Sequence, residues 1–295
     1  MHAHSAASPA RRRLVAALAL SAAVFALEAV AASFANSLAL LAEAFHVLID
    51  VLALGIAVTA VWLAARPATE RRTFGLLRLE ILATVLNTGL LFLVASVVLI
   101  EGVRRLSEPS DVASWVVLVV AAVGLASNAV SVALLKDAQR TSLTVRAAYL
   151  EVLSDLLGSG AVAGSAIVTL ATGVRNADTV AAFAIVALIL PRGWRLLREA
   201  IDVLLEATPR GVDLDALRTH IIGCNGVLDV HDLHVWTITS GLNVVSAHVV
   251  VRREADPGIV LDSLGACLAG DFDIEHSTFQ LENEDRQPLE RASHA

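Results

Sequence analysis

Six long apolar runs, at roughly residues 14–34, 38–64, 79–103, 113–135, 143–172 and 178–198, constrain this chain more than any other feature. A helix that crosses a bilayer needs about 20 mostly apolar residues, and each run is long enough. The breaks between runs carry turn chemistry: Ser33 to Ser37, Arg66-Pro67, Glu108-Pro109-Ser110, Lys136 to Arg140, and Thr172 to Asp178. The first run follows Arg11-Arg12-Arg13 but lacks a small-x-small cleavage site with a polar sequel. It therefore reads as a retained span and not as a secretory leader. Residues 1–13 are expected to be a cytoplasmic tail and 14–204 a six-helix membrane domain embedded in the lipid bilayer.

Basic residues set the expected orientation. The N-terminus, the 64–78 loop and the 136–146 loop hold 3, 4 and 3 Lys/Arg, whereas the alternate connections hold none, two and one. Loops rich in Lys and Arg stay on the cytoplasmic side. Both termini are thus expected in the cytoplasm, with the protein in the plasma membrane.

Past Arg198 the pattern becomes that of a soluble sequence. Residues 213–222 and 257–269 have helical spacing, the second with Pro257 near its start; 227–238, 242–252 and 273–282 alternate as strands. The order αββαβ predicts a small α+β domain over 205–285, with helices on one face of a three-stranded sheet, followed by a C-terminal tail at 286–295. Strict alternation would set His231, Leu233 and Val235 on one face of their strand, and Asp232, His234 and Trp236 on the other. Residues 205–295 hold 6 Lys/Arg and 15 Asp/Glu, within a chain of net charge −7. So acidic a segment argues against a nucleic-acid partner and suits cations. The two cysteines, Cys224 and Cys267, are too few for a disulfide scaffold; they read as buried free thiols.

The informative residues are those that lipid does not tolerate. His46 and Asp50 stand four apart in the second run, and Glu151 and Asp155 repeat that spacing in the fifth, so each pair lies on one helical face. Charges inside a bilayer are costly and usually face a polar pathway. Three carboxylates with no nearby Lys or Arg would repel one another unless a dication or protons joined them. Two helices that each present two ligands can close a tetrahedron, and tetrahedral nitrogen and oxygen ligation suits zinc. Because metal ligands bind deprotonated, loading would displace protons, and metal moving against protons is exchange. No phosphate-binding Gly-x4-Gly-Lys-Ser/Thr loop is present, in keeping with a transporter that needs no nucleotide. Glu28, Asn87 and Asn128 are expected to bridge helices. Glu43 either lines an access path or sits in a polar cavity. Gly158, Gly160 and Gly164 are expected to permit close packing.

Several segments, in order, resemble the cation diffusion facilitator family of zinc and divalent metal transporters. These are Ser37-Leu-Ala-Leu-Leu-Ala-Glu-Ala-Phe-His46-Val-Leu-Ile-Asp50; Thr73-Phe-Gly75-Leu-Leu-Arg78-Leu-Glu80 followed by Asn87; Gly226-Val-Leu-Asp-Val-His231-Asp-Leu-His234-Val-Trp236; Ser246-Ala-His248-Val; and His276-Ser-Thr-Phe-Gln280-Leu-Glu282. The resemblance spans nearly the whole chain. It implies six membrane helices, a metallochaperone-like cytoplasmic αββαβ domain, a homodimer, and efflux driven by the proton gradient. It also implies metal on His231, His248 and Glu282, with His276 in or near a second site; His234 is read as structural. Zinc-handling members usually carry His where this chain has Glu151. Oxygen ligands favour harder cations such as Mn²⁺, but zinc still accepts Asp and Glu, so Zn²⁺ stays the expected cargo, with Mn²⁺, Fe²⁺, Co²⁺ or Cd²⁺ as the alternative.

Metal bound between two tail domains could bias the dimer toward its transporting form. His2 and His4 either hand over metal or lie disordered. Arg71 and Arg72 stand where some relatives carry a third metal site, and no ligand set accompanies them. A membrane metal sensor or scaffold is the rival function; it has no need of the two intramembrane pairs. A zinc hydrolase would want His-Glu-x-x-His, which is absent, so no enzyme is expected.

Overall fold

The computed structural model describes residues 22–64, 66–136, 143–239, 241–272, 274 and 276–283. Outside the described residues fall the N-terminal tail with His2 and His4, the start of the first span, most of the 136–140 break, the C-terminal tail, and the side chain of Asp50. The elements are α1 (Ala22–Ala35), α2 (Leu38–Ala64), α3 (Leu79–Ser107), α4 (Ser114–Leu135), α5 (Leu143–Thr172), α6 (Ala177–Leu204), α7 (Leu214–Ile222), β1 (Val227–Thr239), β2 (Leu242–Val251), α8 (Pro257–Asp271) and β3 (His276–Asn283). They divide into two compact units, Met1–Ile56 with Leu86–Leu196, and Ala57–Val85 with Leu197–Ala295.

Among the described residues, four helical stretches are long and apolar enough to cross a membrane: Leu79–Ser107, Ser114–Leu135, Tyr149–Thr172 and Ala177–Leu204. Ala22–Ala35 and Leu38–Ile49 are apolar but shorter.

The first unit is helical, and its core is made largely of small and branched apolar residues such as Ala31, Ala35, Ala39, Ala121, Val162 and Ala182. Small side chains let helices approach closely where lipid removes the hydrophobic drive between them. Gly102 of α3 shows how close: a Cβ there would collide with the ring of Phe183 from α6. Large apolar residues face outward instead, including Phe34, Ile100, Val103, Trp115 and Trp194, as a lipid-facing surface requires.

The turn from α1 to α2 is tied from two sides. Asn36 adopts a left-handed conformation, φ 53°. Arg105 donates to its backbone oxygen at 2.7 Å and to its Oδ1 at 3.0 Å. Asp178 of α6 then caps α2, accepting from the Leu38 N–H at 2.6 Å and the Ala39 N–H at 3.3 Å. Helix N-termini leave such N–H groups without intrahelical partners.

In the second unit the sheet order is β1-β2-β3, antiparallel between β1 and β2 and parallel between β2 and β3. Asp213 and Asp256 cap α7 and α8, each accepting two backbone N–H bonds. Leu217 and Ile221 of α7, and Val260, Leu264 and Leu268 of α8, repeat every four residues. They share one core with Val230, Val235, Val245 and Val249 of the sheet, so both helices cover the same face, as the sequence pattern predicts.

One expectation fails inside β1. His231 pairs with His248 but His234 pairs with Ser246, so three residues on β1 span two on β2. Asp232, at φ 47°, takes the extra place. This is a β-bulge, which breaks period-two alternation. As a result His234 shares the face of His231 and His248, and Val235 turns to the core beside Val230. The two cysteines also differ from expectation. They are half-buried and not fully enclosed, and α7 and α8 bring their sulfurs to 3.5 Å as free thiols.

Candidate metal centres

In the helical unit, α2 contributes His46 and α5 contributes Glu151 and Asp155. One ligand atom from each lies within 4.8 Å of the others. His46 and Asp155 are 7% and 6% exposed, and His46 Nε2 stands 3.5 Å from Asp155 Oδ1. Two atoms each bound about 2.0–2.1 Å from a tetrahedral Zn²⁺ lie about 3.4 Å apart, so the gap matches an edge of a zinc tetrahedron. A charge-assisted hydrogen bond would close to about 2.7–2.9 Å. Asp50 lies on α2 one turn beyond His46. On its other side His46 borders a cavity lined by apolar residues, among them Leu91, Val98, Ile185 and Ile189.

The expectation that no basic residue approaches the carboxylates is overturned. Arg192 of α6 grips Glu151 with both guanidinium amines, Nη1 donating to Oε1 at 2.6 Å and Nη2 to Oε2. Arg192 falls in the sixth apolar run, far from Glu151 in sequence. Its approach depends on how α5 and α6 pack, which local spacing does not reveal.

A polar seam lies alongside. Glu43 and Glu28 are each 1% exposed. Ser159 of α5 donates to Glu43 Oε1 at 3.4 Å and accepts from Asn128 Nδ2 at 3.2 Å. Asn128 thus bridges α4 and α5 as expected, and Glu43 sits in a polar enclosure. Ser159 was not singled out in the sequence, although it repeats the spacing of four after Asp155. A Cβ on Gly158 would run into the Glu43 carboxylate, so this glycine does permit close approach; Gly160 and Gly164 meet nothing closer than 3.9 Å. Asn87 Oδ1 is buried without a hydrogen-bond partner among the described residues.

The sheet carries a second convergence. His231 and His248 are register partners with ring centroids 5.1 Å apart. Buried Glu282 of β3 reaches both, Oε2 to His231 Nε2 at 3.3 Å and Oε1 to His248 Nδ1 at 3.0 Å. Gln280 braces the same carboxylate at 2.6 Å. All three ligand groups again lie within 4.8 Å of one another. Two imidazoles and a carboxylate form an accepted zinc donor set. His276 stands apart from this cluster, exposed at the start of β3, with its ring edge-on to Phe74 at 5.6 Å.

Imidazole and carboxylates thus converge between two helices of the first unit, and the sheet of the second unit repeats that chemistry. Residues 14–205 match the cation efflux transmembrane domain, and residues 209–284 the cytoplasmic domain of cation efflux proteins. The chain belongs to the cation diffusion facilitator family. It is similar, at 42% identity, to the metal cation efflux system protein CzcD of Cupriavidus metallidurans, over 99% of this chain and 93% of the relative. It is 36% identical to the zinc transporter ZitB of Escherichia coli over 92% of this chain and 87% of the relative. It is 35% identical to the cadmium, cobalt and zinc/H⁺-K⁺ antiporter of Bacillus subtilis over 88% and 84%. As a member of this family the chain is an integral membrane transporter of divalent metal cations and not an enzyme.

Proposed function

We propose that this facilitator exports Zn²⁺ from the cytoplasm in exchange for protons, using His46, Asp50, Glu151 and Asp155 as the transport site. The observation that carries the reading is the tetrahedral-edge spacing of His46 and Asp155 in a buried, mostly apolar setting with Glu151 beside them. Ligands bind metal deprotonated, so Zn²⁺ entering from one side displaces the protons that these groups hold, and protons entering from the other side expel it. The B. subtilis relative is named for exchange of its metals against H⁺ and K⁺, which supports an antiport. The reading includes six membrane spans over 14–204, cytoplasmic termini, a plasma-membrane location and a homodimer joined through residues 205–285. The match to a dimerisation-type cytoplasmic domain at 209–284 supports the last.

His231, His248 and Glu282 bind metal in the cytoplasm and tune transport to its supply. His276 lies outside this cluster and contributes to a second tail site only if a further ligand joins it.

A specific observation favours a second cargo set. Glu151 supplies oxygen where the family resemblance implies nitrogen, and oxygen ligands favour harder cations such as Mn²⁺; Fe²⁺, Co²⁺ and Cd²⁺ complete the alternative set. Proteoliposomes with an imposed pH gradient test the proposal. Zn²⁺ uptake should follow the gradient and collapse to background in Asp155→Asn. Gradient-driven uptake that persists in Asp155→Asn would end the proposal.

A further inference from the structure

Glu151 is engaged twice over. Both its oxygens accept from Arg192, while one of them also lies within ligand range of His46 and Asp155. A guanidinium keeps its charge at any working pH, so unlike a proton it cannot leave by dissociating. A dication arriving at the site meets a fixed positive charge already seated on one of its ligands, and at such short range like charges repel strongly in a medium of low dielectric.

We propose that Arg192 is a tethered competitor for Glu151, so that guanidinium and metal take the carboxylate in turn. The inference rests on the reading of Glu151 as a transport ligand and extends it. In the metal-free state Arg192 offsets one of the carboxylates gathered around His46. On loading, Glu151 turns from the guanidinium to the ion. On unloading, the guanidinium returns, which keeps the affinity low enough for release. The local backbone suits this role. Pro191 immediately precedes Arg192 inside α6, and a proline removes one i→i−4 hydrogen bond from its turn. Arg192 is also half-exposed, 51% at the side chain against 24% for Glu151, so it has room to swing away while the carboxylate stays.

A static pin between α5 and α6 is the competing role, and a double-mutant cycle separates the two. Zn²⁺ affinity is measured by calorimetry on the full chain in lipid nanodiscs, with His231→Ala and His248→Ala present to silence the tail. Arg192→Gln should tighten Zn²⁺ binding by about tenfold or more, the scale of a hydrogen-bonded charge partner. In a Glu151→Gln background the same substitution should tighten binding much less, because only through-space repulsion is relieved and no carboxylate remains to compete for. Arg192→Lys keeps the charge but loses the bidentate grip and should fall between, so it decides the matter if Arg192→Gln does not fold. Unchanged or weaker binding in Arg192→Gln, unchanged binding in Arg192→Lys, or an equal shift in both backgrounds overturns the proposal. If Asp155→Asn in the same preparation keeps wild-type affinity, the transport-site reading itself has failed; if Asp155→Asn loses binding while the cycle is flat, only the competitor has.

Discussion

Asp178 caps the helix that begins at Leu38 and reaches Ser37 across 141 residues of sequence: its Oδ1 accepts from the Ser37 hydroxyl at 2.5 Å while its Oδ2 holds the next two backbone N–H groups. The Ser37 oxygen in turn accepts from the Leu40 N–H at 3.0 Å. A buried carboxylate at the positive end of α2 is favoured by the helix dipole. The anchor matters to the site because His46 follows on the same helix, about 12 Å along its axis.

Asp178→Asn removes the charge and one acceptor while keeping the size. It should destabilise the helical unit by about 1–2 kcal/mol, the usual worth of a strong N-cap, read as a lower melting temperature in detergent. Transport per folded molecule should fall as α2 loses its fixed start. An unaltered melting curve would show that the cap is redundant with Ser37.

Gly102→Ala tests the closeness of α3 and α6. The added methyl has nowhere to go but into the Phe183 ring, and overpacking of this kind costs about 1–3 kcal/mol. Thermal unfolding of the purified protein measures it, and Phe183→Leu in the same chain should restore part of the loss.

Glu151→His replaces an oxygen ligand by an imidazole and removes the partner of Arg192. Competition assays in proteoliposomes should show Zn²⁺ gaining over Mn²⁺, following the ligand preferences of the two ions. An unchanged order of preferred metals would mean that selectivity is set elsewhere than at this position.

His248→Ala strips one donor from the sheet cluster and leaves Glu282 with His231 alone. Metal at a hundredfold excess over its Kd stabilises a folded protein by about 2.7 kcal/mol. The variant should lose most of the Zn²⁺-induced rise in melting temperature of the tail domain. Its transport should also lose dependence on cytoplasmic metal. A variant that retains that dependence would remove the sensing role.

The αββαβ order was legible because its signals are local: alternation in the strands, spacing of four in α7 and α8, and Asp213 and Asp256 ahead of them. The His46 and Asp155 convergence was legible for the same reason, since each pair marks its own helix face. Arg192 escaped because it belongs to a third helix, and nothing within its own run reveals a partner on α5. Asp178 escaped likewise; as a lone acid at the start of an apolar run it looks like ordinary turn chemistry. The bulge at Asp232 left no sign in the alternation, which reads smoothly through His231 and His234 in either phase.

That single surplus residue has a lasting effect on the tail. Val230 and Val235 are an odd number apart, and a strand of unbroken rhythm would send them to opposite sides. By slipping the phase between His231 and His234, β1 hides both valines beneath the helices and leaves its histidines outward, on the side where Glu282 meets His231 and His248. Without Asp232 the two valines would stand an even four apart and plain alternation would keep them on one side, so the bulge is what lets β1 carry an extra residue without turning its core face outward.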